Sequence, residues 1–294
     1  MQATIHILLF AMTIGILGGP GTTLAQPSWQ RQEPESPVPV ELIRSTMLAN
    51  FPTTESLRAG DWRYEISHRF SPPVSDGFDA AFGMDGPVVM RTSVSYGITE
   101  RTMVTLGRSN LQDNWDLQVK HRIWQFDHVV LPSAVALQLG VALNTQMPAV
   151  LDRGRLDGDN FQYYAQLVYN THVGERLGLG LVPSYVYNSM IFAIETQYTL
   201  TLGMYGKYRL NQGWSLWAEY NPTLRGYQGP VAPGETGRSY HTLACGAALD
   251  TGGHMFYLFI TNNTRLNPAQ YLVGADHKLS ADTLRLGFAI TRYL

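Results

Sequence analysis

The chain has little of what a disulfide scaffold, a helical membrane protein or a nucleic-acid binder is built from. Its one cysteine, Cys245, excludes an internal disulfide framework. Beyond residue 18 no apolar run reaches the roughly 20 residues that a spanning helix needs, so a membrane location would demand a barrel. Lys and Arg number 21 against 23 Asp and Glu, so there is no basic excess to track a phosphate backbone, and no nucleic acid is expected. No C-x-x-C-H haem site, calcium loop, Gly-rich phosphate loop or G-x-S-x-G elbow occurs. The histidines His68, His121, His128, His172, His241, His254 and His277 are scattered, and no cofactor or metal is expected.

What is present begins with an apolar run at residues 6–18, HILLFAMTIGILG, followed by small residues and a Thr23-Leu24-Ala25 cleavage site. Residues 1–25 therefore read as a signal peptide, although no Lys or Arg precedes the run. Residues 26–58 read as a Pro-rich linker and an N-terminal periplasmic segment. Within it, 40–58 fits a short helix, an extra strand, a plug or a segment resting on the next domain.

From residue 59 to 294 the dominant signal is a period of two, the mark of half-buried strands. In the last twelve residues Leu284, Leu286, Phe288, Ile290 and Leu294 share one face, opposite Arg285, Gly287, Ala289, Thr291 and Tyr293. Twelve such segments are expected, at 61–70, 88–98, 102–109, 115–124, 133–144, 161–171, 177–187, 198–210, 214–224, 240–249, 254–261 and 283–294. Their lengths suit tilted membrane strands. The connections alternate. Those at 71–87, 110–114, 145–160, 188–197, 225–239 and 262–282 are mostly long, and those at 98–101, 125–132, 173–176, 211–213 and 250–253 are mostly short. Outer-membrane barrels have short periplasmic turns and long outer loops, and an even strand number returns both termini to the periplasm.

That orientation sorts the aromatics. Phe70, Trp115, Phe161, Tyr163, Tyr185, Tyr187, Tyr198 and Tyr240 fall near outer strand ends, and Trp62, Tyr64, Tyr96, Tyr169, Tyr208 and Trp214 near periplasmic ones. Two aromatic girdles around an aliphatic band suit a bilayer. The fold class is thus all-β, an antiparallel transmembrane barrel of about twelve strands in the bacterial outer membrane. Lipid and, during biogenesis, the barrel-assembly machinery are the partners such a barrel needs.

The tracts WRYEISHRF (62–70), VVMRTSVSYGITE (88–100), TLGRSN (105–110), GGHMFYLFITN (252–262) and LRLGFAITRYL (284–294) together resemble an uncharacterised bacterial β-barrel family, domain of unknown function 5777. The resemblance runs from about Val40 to the C-terminus. It implies a signal peptide and an outer-membrane-type barrel, and it carries no catalytic residues.

The polar faces should line the lumen. They carry Arg63, Arg69, Arg91, Lys120, Arg122, Lys207, Arg209 and Arg285 against Glu65, Asp116 and Glu219. One reading is a passive, porin-like channel for small anionic solutes. The other is a non-conducting binding or scaffold barrel whose lumen is packed by Arg–Glu networks and water. A barrel-hosted hydrolase is the third. Ser67-His68, Ser109-Asn110 and Tyr240-His241 supply the residue types, but adjacent strand residues point to opposite faces, so no enzyme is expected. Asp152, Asp157 and Asp159 read as a solvated loop.

Overall fold

The computed structural model describes residues 42–193, 195, 197–231 and 237–294. The expected signal peptide and the linker up to residue 41 lie outside them. The described residues, from Leu42 to Leu294, belong to one compact unit.

Thirteen strands form one closed sheet. They are β1 (Trp62–Pro73), β2 (Val88–Thr99), β3 (Thr102–Ser109), β4 (Asn114–Phe126), β5 (Ser133–Asn144), β6 (Phe161–Val173) and β7 (Leu177–Tyr187). Then follow β8 (Tyr198–Arg209), β9 (Trp214–Asn221), β10 (Thr223–Gly226), β11 (Thr242–Asp250), β12 (His254–Thr261) and β13 (Arg285–Tyr293). Every pairing is antiparallel, and β13 returns to β1 in register from Arg63 opposite Tyr293 to Arg69 opposite Gly287. Closure leaves no open edge, the condition for strands to cross hydrocarbon. β9 and β10 are one expected strand interrupted at Pro222, which has no N–H for a ladder, and β10 pairs back onto β8. The barrel therefore has twelve staves.

The alternation sorts as the sequence pattern predicts. Leu106, Leu117, Leu139, Leu167, Leu200, Leu216 and Leu258 face outward and exposed, while the residues between them are buried inside. Trp62, Trp115, Tyr163, Tyr185, Tyr187, Tyr208 and Trp214 are exposed near the strand ends. Tyr240 departs from this scheme. It precedes β11 and forms a bridge with Ala275 of the following long loop.

The interior is filled from both ends. Residues 42–57, whose conformation the sequence leaves open, form a hairpin inside the barrel. Met47 pairs with Pro52, the Leu48 amide donates to Phe51 O at 2.9 Å, and the Thr53 amide to Thr46 O at 3.2 Å. Pro52 biases Phe51 toward an extended backbone, which favours this arrangement over a helix. Leu42, Ile43, Leu48, Phe51 and Leu57 are all buried. The wall is small where the hairpin passes. A Cβ on Gly203 would stand 2.3 Å from the Phe51 ring, and one on Gly178 2.5 Å from Ile43 Cδ1.

From the long-loop end, the connection between β12 and β13 turns inward instead of outward. Asn267 caps the short helix α1 (Pro268–Tyr271), accepting from the Ala269 amide at 3.0 Å. Tyr271, Leu272, Val273 and Ala275 are buried. Tyr271 meets the hairpin edge-on at Phe51, with ring centroids 5.5 Å apart.

Two outcomes are expected from this architecture. Unheated protein should run faster than boiled protein on a denaturing gel. In reversible unfolding from lipid vesicles, Leu139→Arg, at the middle of an outward face, should cost about 2–4 kcal/mol, against about 0–1 kcal/mol for Trp62→Arg near an interface. Equal costs at the two positions would mean that the aliphatic band does not meet lipid.

Candidate functional site

Alternation along β1 turns Arg63, Glu65, Ser67 and Arg69 inward, and the same parity on β2 and β4 adds Arg91, Asp116, Gln118, Lys120 and Arg122. Lys207 on β8 and Glu219 on β9 are buried too, as is Arg265 in the connection between β12 and β13. Arg209 and Arg285 lie at opposite ends of the barrel, only half-buried. Arg209 donates to the Glu175 carbonyl in a short turn, and Arg285 to the Thr283 carbonyl at 3.0 Å. Neither belongs to the central group.

The central charges form two networks. In the first, Arg91 grips Asp116 with two parallel bonds, Nε to Oδ2 at 3.0 Å and Nη2 to Oδ1 at 2.7 Å. Gln118 also donates to Asp116, and Asn267 reaches it from the inward loop at 3.1 Å. Glu65 stands between Arg91 at 3.8 Å and Arg63 at 4.0 Å. Such a buried bidentate pair survives because nearly every oxygen is bonded.

The second network holds the hairpin. Glu219 accepts from the Asn50 amide and the Phe51 amide at 3.2 Å each, and from Asn50 Nδ2 at 2.6 Å. Arg69 donates to Asn50 Oδ1 at 2.7 Å and lies over the Phe259 ring at 4.4 Å. Lys120 Nζ donates to Thr46 O at 2.7 Å and Thr53 O at 3.0 Å, and Lys207 Nζ to Ile43 O at 3.2 Å. Arg63 reaches Thr46 Oγ1 at 2.5 Å. Three neutral wall residues join them. Asn170 accepts from the Thr54 amide at 2.7 Å, Tyr205 donates to Pro52 O at 3.1 Å, and Tyr257 to Met47 O at 3.1 Å. Arg122 lies 4.0 Å from Glu55.

The wall thus supplies mostly donors, with Glu219 and Asn170 accepting, and the hairpin mostly acceptors. The inward charges and Asn170 are readable from strand parity, whereas Thr46, Asn50, Tyr205, Tyr257 and Asn267 carry no such signal. A signal for the loop existed. Residues 271–275, YLVGA, form an apolar run inside what should be an aqueous loop.

The Ser/His pairs do not converge. Ser67 points inward to Glu65 while His68 stacks outward on Phe288. Ser109 Oγ accepts from the Leu111 amide, and His241 Nδ1 from the Thr223 amide. Among the described residues no group of three or more His, Cys, Asp or Glu comes together as a metal site.

No curated protein sequence matches the chain. Among solved structures it is similar to the NanC porin, at 9% identity over 78% of this chain and 97% of the other, with a TM-score of 0.48. It is also similar to an outer membrane channel from Pseudomonas putida F1, at 11% identity over 82% and 98%, with a TM-score of 0.49. Omp33 of Acinetobacter baumannii is similar at 10% identity over 81% and 99%, with a TM-score of 0.40. These likenesses concern the barrel outline alone, and no residue role is taken from them. The model of the membrane-bound beta-barrel domain family, domain of unknown function 5777, matches residues 44–294, from within the hairpin to the last strand, and the chain belongs to that family.

Proposed function

We propose that this protein is an outer-membrane channel for small anionic solutes, closed here by its own N-terminal hairpin and opened when that hairpin leaves the lumen. The observation that carries the reading is the way the hairpin is held. Beyond its chain connections, the hairpin is held to the wall by hydrogen bonds and ring contacts among the described residues. Its removal would expose Arg63, Arg69, Lys120 and Lys207 to water in the lumen, and a through path would open once the inward loop at 262–275 also yields. A ring of fixed cations favours anions over cations by simple electrostatics.

A second reading, a permanently packed barrel, draws support from the Phe51–Tyr271 contact, since both side chains are fully buried. The two readings separate in planar bilayers. Gly203→Val places branched carbons where the Phe51 ring lies, so it should raise the frequency of open events well above wild type. The open events should show a reversal potential favouring chloride over potassium. Lys120→Gln combined with Lys207→Gln should reduce that preference. Silence of both wild type and Gly203→Val would leave the packed barrel as the better account.

We infer the orientation from the loop asymmetry, with the short turns and both termini periplasmic. A cysteine-free background (Cys245→Ser) with a new cysteine at Gly154 should react with an impermeant maleimide on intact cells. A cysteine at Asn211 should react only after the outer membrane is broken. The reverse pattern would invert the assignment.

A further inference from the structure

Between the hairpin, the inward loop and the wall of β1–β5 there is a cavity of about 30 Å³. That volume admits one or two water-sized particles and no tetrahedral oxyanion. Its wall includes Arg63, Arg91 and Lys120 against Glu65. Arg91 is already neutralised by Asp116, and Glu65 is shared between Arg63 and Arg91 at the longer distances given above. Lys120 is the exception. Its ammonium is buried and bonded to two neutral carbonyls, and no carboxylate of a described residue stands within ion-pair distance of it. It has a third N–H to place. Arg63 converges on the same Thr46 from β1, and its Nε is buried without a hydrogen-bond partner. Two cations thus meet with spare donors beside a small cavity, and the seven charges Arg63, Arg91, Lys120, Arg122, Glu65, Asp116 and Glu55 (four cations, three acids) sum to +1. A buried surplus charge is strongly unfavourable unless a counter-charge or water compensates it.

We propose that this cavity is a binding site for a single halide-sized anion, chloride in the cell, which bridges Lys120 and Arg63 and completes the charge balance of the closed lumen. Polyatomic anions are excluded by volume. Glu65 and the Met103 and Leu266 side chains form the less favourable part of the lining and limit the site to one ion. The inference shares the lumen cations with the channel reading but does not need conduction, because it concerns the closed state.

The test uses the full-length barrel in detergent. Its thermal unfolding is followed at constant ionic strength while gluconate is replaced by chloride. A saturable upward shift of the midpoint is expected, with bromide acting similarly and sulfate not at all. Lys120→Gln, which retains a donor for one carbonyl, should abolish the dependence. Should that variant not fold, wild-type crystals grown in bromide decide the matter, since the anomalous signal must show a peak between Lys120 and Arg63. Identical unfolding in chloride and gluconate, or bromide crystals without that peak, would overturn the site and leave the cavity to water. A barrel that never conducts could still pass this test, so its failure is distinct from failure of the channel reading.

Discussion

The structure depends on one reciprocal constraint inside the barrel. The wall carries buried cations that cannot be left bare, and the hairpin carries buried carbonyls that cannot be left unbonded. Lys120 and Lys207 bond the backbone carbonyls, Arg63 bonds the Thr46 hydroxyl and Arg69 the Asn50 side-chain oxygen, while Glu219 takes the Asn50 and Phe51 amides. A two-stranded hairpin of this length is not stable alone in water. An empty lumen with these charges would fill with water. Each part therefore supplies the environment that makes the other a defined structure.

Much of the barrel was legible in the sequence because lipid imposes a strict rule. Each strand must present apolar groups on alternate positions, and closure demands that every strand have two neighbours. The expected strand limits agree with the observed ones to within a few residues. The main exceptions are β9, which Pro222 cuts short, and Tyr240, which is pinned to Ala275 ahead of β11. The inward direction of the charges followed from the same parity, from Arg63 on β1 to Glu219 on β9.

What filled the lumen was not legible, for a physical reason. The hairpin and the loop at 262–275 are held by bonds to distant parts of the chain, some between residues more than 100 positions apart, such as Thr54 to Asn170 and Asn267 to Asp116. Neither segment has a repeating period, and local propensity does not say which surface will cover it. The glycines opposite Phe51 and Ile43 are informative only once the hairpin is seen, since Gly203 and Gly178 read in the sequence as ordinary strand glycines. The inward loop differs in carrying YLVGA, whose apolar character conflicts with an aqueous setting.

The short tether between the hairpin and β1 has a kinetic consequence. Gly60 and Asp61 are tied to the end of β2 by hydrogen bonds with Gly97, so the hairpin hangs from a fixed point at the short-turn mouth. From Phe51 to that point is about ten residues, and at about 3.3 Å each they reach roughly 33 Å when extended. An expelled hairpin would clear the mouth but could not diffuse away. Its local concentration there would be of millimolar order, set by the tether alone. Reclosure would then be a first-order event, independent of how many barrels the membrane holds.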